Sequence, residues 1–241
     1  MRTFLLEDFY EKHEFSTKYL LSQSDCESMT VDELLSMEPG AAKQLHQLWL
    51  GYTEVKGSLY LRERIAALYK ACGPQDILVH AGAEEAIYGF MQVFLERGDH
   101  AVYLSPAYQS LYEVAASAGC EVSPWLLRQG PGGWTLDMDE LISLIRPQTK
   151  LIVINTPHNP TGYALSDDQL EAVARIARER GVFVFCDQVY KGLEWDGRSH
   201  SWMSDICENA VSLGVMSKAY GLPGLRIGWI ATRNRMFMIS C

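Results

Sequence analysis

The sequence has no apolar run long enough to cross a bilayer, no cluster of Lys and Arg, and no Cys-x-x-Cys pair. The first absence excludes a helical membrane span, and the second removes the electrostatic footprint that nucleic acid or an anionic membrane requires. A formal net charge of −9 points the same way, which leaves a small molecule as the expected ligand. Cysteines stand at positions 26, 72, 120, 186, 207 and 241, without the spacing of a zinc site or a disulfide framework. They read as reduced thiols of a cytoplasmic protein. The opening Met1-Arg-Thr-Phe-Leu-Leu-Glu-Asp8 carries acids where a secretory signal is continuously apolar. Repeats and low-complexity segments are also missing. What remains is 241 residues, 48% hydrophobic and 21% charged, the composition of a folded globular chain of one large or two small domains.

Residues 1–50 are acidic, aromatic and irregular. Thr30 and Glu33 form a capping box, Leu34, Leu35 and Met37 follow, and Pro39-Gly40 ends that helix. Phe4, Phe9, Tyr10, Phe15 and Tyr19 cannot be buried by so short a segment, so it is expected to lie as an arm on the main domain or on a second copy in a homodimer. Gly51 to Gly57 is turn-rich and precedes Leu61, Ile65, Leu68 and Tyr69 at helical spacing.

From there short apolar runs alternate with amphipathic stretches. Strands are predicted at Ile77 to His80, Ala101 to Leu104, Glu121 to Leu127, Lys150 to Asn155, Val182 to Cys186, Ala210 to Val215 and Arg226 to Ala231. Helices are predicted at Glu84 to Glu96, Tyr108 to Ala118, Asp137 to Ile145 and Ser166 to Arg180. This alternation predicts an α/β domain over 51–241: a mostly parallel seven-stranded sheet between helices, with ligands bound beyond the carboxyl ends of the strands.

Polar residues at those ends are the site candidates. Lys218 follows a buried run beside Ser217 and enters a loop punctuated by Gly221, Pro223 and Gly224, with Arg226 beyond it. Asp187 closes Val-Phe-Val-Phe-Cys, and a buried carboxylate is costly without a cation. Asn159 lies in Pro157-His-Asn-Pro160, a turn that aims its amide, while His158 reads as a packing residue of that turn. The loop His80-Ala-Gly-Ala-Glu-Glu85 leaves the amides of Ala83 and Glu84 free at a helix start, and Gly82 permits close approach by a phosphate. Each has a plainer reading: Lys218 as a solvated lysine, Asp187 as a turn cap, Tyr108 or Tyr52 as an edge tyrosine, and the glutamates as complements to a helix dipole.

Together, Asn159-Pro160-Thr161-Gly162, Asp187-x-x-Tyr190, Ser217-Lys218 and Arg226 resemble the class I/II aminotransferases, which are pyridoxal phosphate enzymes of fold type I. The resemblance implies catalytic Lys218, Asp187 and Tyr190, with Lys218 forming an imine with pyridoxal 5'-phosphate and shuttling the α-proton. For that work it implies a lowered Lys218 pKa, from burial beside cations such as Arg226. It also implies Asp187 on the pyridine nitrogen, Asn159 and Tyr190 on the 3-hydroxyl oxygen, and Tyr108 and Val189 on the ring faces. Gly82, Ala83, Glu84, Ser217 and Arg226 would hold the phosphate, joined by Tyr52 from across a dimer. Amino-acid and 2-oxo-acid substrates follow, with a β-lyase, an amino-acid cyclase or a non-catalytic cofactor-binding fragment as alternatives.

Three departures stand out. Gln188 occupies a position where relatives often carry Glu, and Val215 one where many have Ser. The family's C-terminal small domain has no counterpart, and the closing Met-Phe-Met-Ile-Ser-Cys is apolar without a clear partner, as in a shortened product.

Overall fold

The computed structural model describes residues 2–195, 197–235 and 237. Its strands are β1 (Ile77–His80), β2 (His100–Ser105), β3 (Glu121–Leu126), β4 (Arg128–Gly130), β5 (Gly133–Thr135), β6 (Thr149–Asn155), β7 (Phe183–Asp187), β8 (Ala210–Val215) and β9 (Gly228–Ala231). Its helices are α1 (Leu5–His13), α2 (Val31–Ser36), α3 (Ala41–His46), α4 (Leu59–Ala66), α5 (Ala83–Phe94), α6 (Ser110–Ser117), α7 (Met138–Leu144), α8 (Asp167–Arg180) and α9 (Met203–Ile206).

The main sheet has seven strands in the order β1-β9-β8-β7-β6-β2-β3. Strands β8, β7, β6, β2 and β3 pair in parallel, and β9 runs antiparallel to both its neighbours. The expected mostly parallel sheet is therefore present. Pleating sends alternate residues to opposite faces. Leu151, Val153, Phe183, Phe185, Val211 and Leu213 join α5 and α6 in one core, whereas Ile152, Ile154, Val184 and Cys186 join α8 in another. Each fully buried aliphatic or aromatic side chain contributes roughly 1.5–3 kcal/mol, which makes this two-sided burial the main source of stability.

Local chemistry explains the element ends. Ser166 and Gln169 form a capping box at the start of α8, and Gly181, at φ 66°, ends it in the left-handed region. The Thr30 and Glu33 box is also formed. Arg226 lies outside β9, contrary to expectation, because its left-handed backbone at φ 53° cannot extend a strand. Helix α1 and the β4–β5 hairpin were not anticipated. α1 buries none of its residues, so no core-facing stripe announces it.

The predicted apolar ending, 236–241, lies outside the described residues except for Phe237. Phe237 does have a partner: it is buried, with its ring 4.9 Å from that of Phe90.

Candidate active site

The chain reverses direction across the sheet beside β6: β2 and β3 lie on one side, β7 and β8 on the other. Loops leaving β2 and β6 diverge there, opening the crevice in which α/β sheets bind ligands. Asn155, the last residue of β6, fixes the near wall. Its side chain donates to the Asp187 carbonyl at 3.0 Å and accepts from the Asn159 backbone amide at 2.6 Å. The Asn159 side-chain amide then donates to Tyr190 Oη at 3.2 Å. His158 is buried with Nδ1 2.8 Å from Thr161 Oγ1, a turn residue as expected.

Asp187 ends β7 and is only 5% exposed. Its Oδ1 accepts from the Val189 amide at 3.1 Å, and among the described residues it forms no ion pair. Burial pushes its pKa up to about 7, a rise that Val189 opposes, Glu84 reinforces and Lys218 opposes. Gln188 turns the other way, into a buried network with Ser201, Met203 and Ser212.

Lys218, half-buried in the loop after β8, lies 5.8 Å from the centroid of the Tyr190 ring. Its Nζ is ion-paired with Asp25 and lies 3.4 Å from Ser24 Oγ, which also accepts from Tyr190 Oη at 2.9 Å. The expected fall in the Lys218 pKa is not what these surroundings produce. Burial does lower it, but Tyr190, Asp25 and Asp187 outweigh burial, and the net direction is upward. Arg226 is turned towards Gly82 instead. Burial also raises the Tyr190 pKa, against the opposing charge of Lys218.

Gly82 is buried at φ 102° and opens α5 without any side-chain cap. Among the described residues no side chain caps this first turn, which leaves the amides of Ala83 and Glu84 available to an anion. A Cβ on Gly82 would come within 2.5 Å of Arg226 Nη2, and one on Gly228 within 2.6 Å of the Gly82 carbonyl carbon. Only glycine permits this approach of helix start, arginine and β9. Ser217 is half-buried in the Lys218 loop.

Tyr108 follows β2 and donates to Glu7 Oε1 at 2.8 Å. Burial raises its pKa, and Glu84 and Glu7 add to the rise. Glu84 itself accepts from Ser110 Oγ at 2.7 Å. Val189 is buried beside Asp187. Tyr52 is fully exposed and takes no part in this group within one chain. The residues the sequence did not point to are Asn155, Ser24, Asp25 and Glu7. Asn155 carried a signal, a polar residue ending an apolar strand. The other three reach the site from the arm across more than a hundred residues of sequence, and no local pattern marks them.

A cavity of about 400 Å³ adjoins this group, bordered by Ser24, Asn159 and Tyr190 and extending to Glu194 and His200.

Residues 16–239 match the family described as aminotransferase class I and II. Capreomycidine synthase of Streptomyces vinaceus is 32% identical over 227 residues, which cover 93% of this chain and 58% of that protein. A PLP-dependent aminotransferase from Streptococcus suis superposes with a TM-score of 0.91 at 32% identity, covering 99% of this chain and 64% of that one. The PLP-dependent cyclase OrfR superposes at 0.88 with 28% identity, covering 100% of this chain and 63% of its own. The chain thus spans roughly three-fifths of the length of these relatives. On its motifs, its sheet and these likenesses, it belongs to the class I and II aminotransferase family.

Proposed function

We propose that this protein is a pyridoxal phosphate-dependent aminotransferase, exchanging an amino group between an amino acid and a 2-oxo acid. One observation carries the reading: Asp187 is a buried carboxylate at a strand end, without an ion pair among the described residues and close enough to Lys218 to feel its charge. The cost of such a carboxylate is offset when a cation is bound against it. The protonated pyridine nitrogen of pyridoxal phosphate is a cation of that kind. The glycine-lined start of α5 beside Arg226 suits the phosphate of the same molecule.

In this reading Asp187 keeps the ring nitrogen protonated. Tyr190 and Asn159 orient the ring through its phenolic oxygen, and Tyr108 and Val189 flank its faces. The amides of Gly82, Ala83 and Glu84, with Ser217 and Arg226, hold the phosphate. Bound there, pyridoxal phosphate supplies an aldehyde that reacts with amines and a ring that withdraws electrons from the substrate α-carbon. Lys218 Nζ would hold the aldehyde carbon covalently and, once freed by the substrate amine, would carry the proton between the substrate α-carbon and the cofactor's aldehyde carbon. To act as a base, Lys218 must first be released from its pairing with Asp25.

The division into an arm over 1–50 and a cofactor domain over 51–241 belongs to this proposal, as does a cytoplasmic homodimer in which Tyr52 reaches the partner's phosphate. Exposed Phe15, Leu21, Trp49 and Tyr52 supply apolar surface for such a contact. Among the described residues no helix is long and apolar enough to cross a membrane. A cyclase is the second reading, favoured by the likeness to capreomycidine synthase and OrfR.

The test is incubation with pyridoxal phosphate, reduction with borohydride and peptide mass spectrometry. A pyridoxyl group on Lys218, lost in Lys218→Ala with unchanged circular dichroism, is expected. Scattered labelling of surface lysines would overturn the assignment.

A further inference from the structure

Asp25 is the arm residue that meets the reactive amine directly, through its ion pair with Lys218. The arm is held on both sides of it. Arg2 bonds the buried Glu113 carboxylate through its backbone amide at 2.7 Å and its Nε at 2.8 Å. The Glu27 carbonyl packs so closely on Gly221 that a Cβ there would lie 2.7 Å away. Asp25 is thus a placed carboxylate at the mouth of the site, with 36% of its side-chain surface exposed.

Its present partner is temporary. The pairing suits Lys218 only as an ammonium. Once that nitrogen is committed to a covalent bond, or serves as a neutral base, it offers Asp25 no full positive charge. Among the described residues no other Lys or Arg is ion-paired with Asp25. The basic side chains that border the adjoining cavity, His158 and His200, lie against Thr161 and Asp167. The cavity's carboxylate, Glu194, adds negative charge, and among the described residues its Oε1 is buried without a hydrogen-bond partner. Asp25 is exposed and is solvated by water when the lysine leaves, but with Glu194 it keeps the mouth of the site negative, which favours a ligand that brings a cation.

We propose that Asp25 is a specificity-determining residue that selects an amino acid whose side chain ends in a cationic group, a guanidinium or an ammonium. This rests on the role given above to Lys218. The substrate's cation occupies Asp25, and so keeps that carboxylate from recapturing the lysine as an ammonium once the substrate amine has displaced it. An aliphatic side chain leaves Asp25 unpaired, and an acidic one is repelled.

The experiment uses the 241-residue chain loaded with pyridoxal phosphate, with attachment at Lys218 checked by borohydride trapping. L-Arginine and L-norleucine, similar in length and different in charge, are titrated calorimetrically without oxo acid into the parent and Asp25→Asn proteins. Arginine is expected to bind the parent about tenfold more tightly, and this ratio to fall to near one in Asp25→Asn. Comparing ratios within each protein cancels any general effect of the substitution. Equal binding of the two ligands by the parent overturns the inference, as does a preference that survives in Asp25→Asn. Failure of attachment at Lys218 overturns the cofactor reading and the inference with it, whereas attachment without a preference overturns the inference alone.

Discussion

The Asn159 side-chain amide donates to Tyr190 Oη at 3.2 Å, tying the loop after β6 to the loop after β7. Two groups from neighbouring strand ends thus converge on one point, where an anionic oxygen of a ligand could accept from both. Removing either donor should cost about 0.5–1.5 kcal/mol of binding, or up to about tenfold in affinity. Asn159→Ala and Tyr190→Phe should each weaken pyridoxal phosphate to that extent in a fluorescence titration. The double variant should lose less than the sum, since the two side chains share a hydrogen bond. Unchanged affinity in both single variants would remove the pair from the cofactor site.

Asp187 makes stability depend on pH in a defined direction. Its pKa rises from an ordinary 3.8 to about 7 through burial. Between those values the folded state binds more protons than the unfolded state, so stability falls as pH rises through the window, and above it the loss is complete. Asp187→Asn should therefore melt progressively higher than the cofactor-free parent from pH 4 to 7, with the difference level beyond. A melting difference that does not change with pH would show that Asp187 is not buried in its charged form.

Gly82→Ala should disturb the helix start and the arginine together. Its Cβ would meet Arg226 Nη2 at 2.5 Å, and φ 102° is strained for any L side chain. A loss of about 1–3 kcal/mol in urea unfolding is expected, with weaker binding of inorganic phosphate. Phosphate affinity equal to that of the parent would place the anion elsewhere.

Gln188 explains one departure from the family pattern. It is 2% exposed, with Nε2 donating to Ser201 O at 3.0 Å and Oε1 accepting from Met203 N at 2.9 Å and Ser212 Oγ at 2.8 Å. Gln188→Glu would turn the donor into an acceptor facing a carbonyl. It should destabilise the fold by about 1–3 kcal/mol in chemical denaturation, with cofactor binding little changed. A neutral result would mean that the network rearranges or takes up a proton.

The strands and the capped helices were legible because their signals are local. Val182 to Cys186 reads as a buried strand from its own residues, and Ser166 to Arg180 reads as a helix, close to the observed β7 and α8. Asp187 and Lys218 were visible for the same reason, each being a polar residue where an apolar run stops; Asn159 was visible through its proline turn and Tyr190 through the family motif. Helix α1 was not visible, because it places no residue in the core.

The sequence by itself therefore determined the α/β class, the seven strands of the main sheet and the loops that carry the polar groups, since periodicity and turn chemistry act over a few residues. Only the tertiary structure decided which groups stand beside Lys218 and in which direction its proton affinity moves. Asp25 and Lys218 are separated by 193 residues. Tyr190, Asp25 and Asp187 together outweigh the burial of the lysine, and a balance between desolvation and distant charges is written in no single segment of the chain.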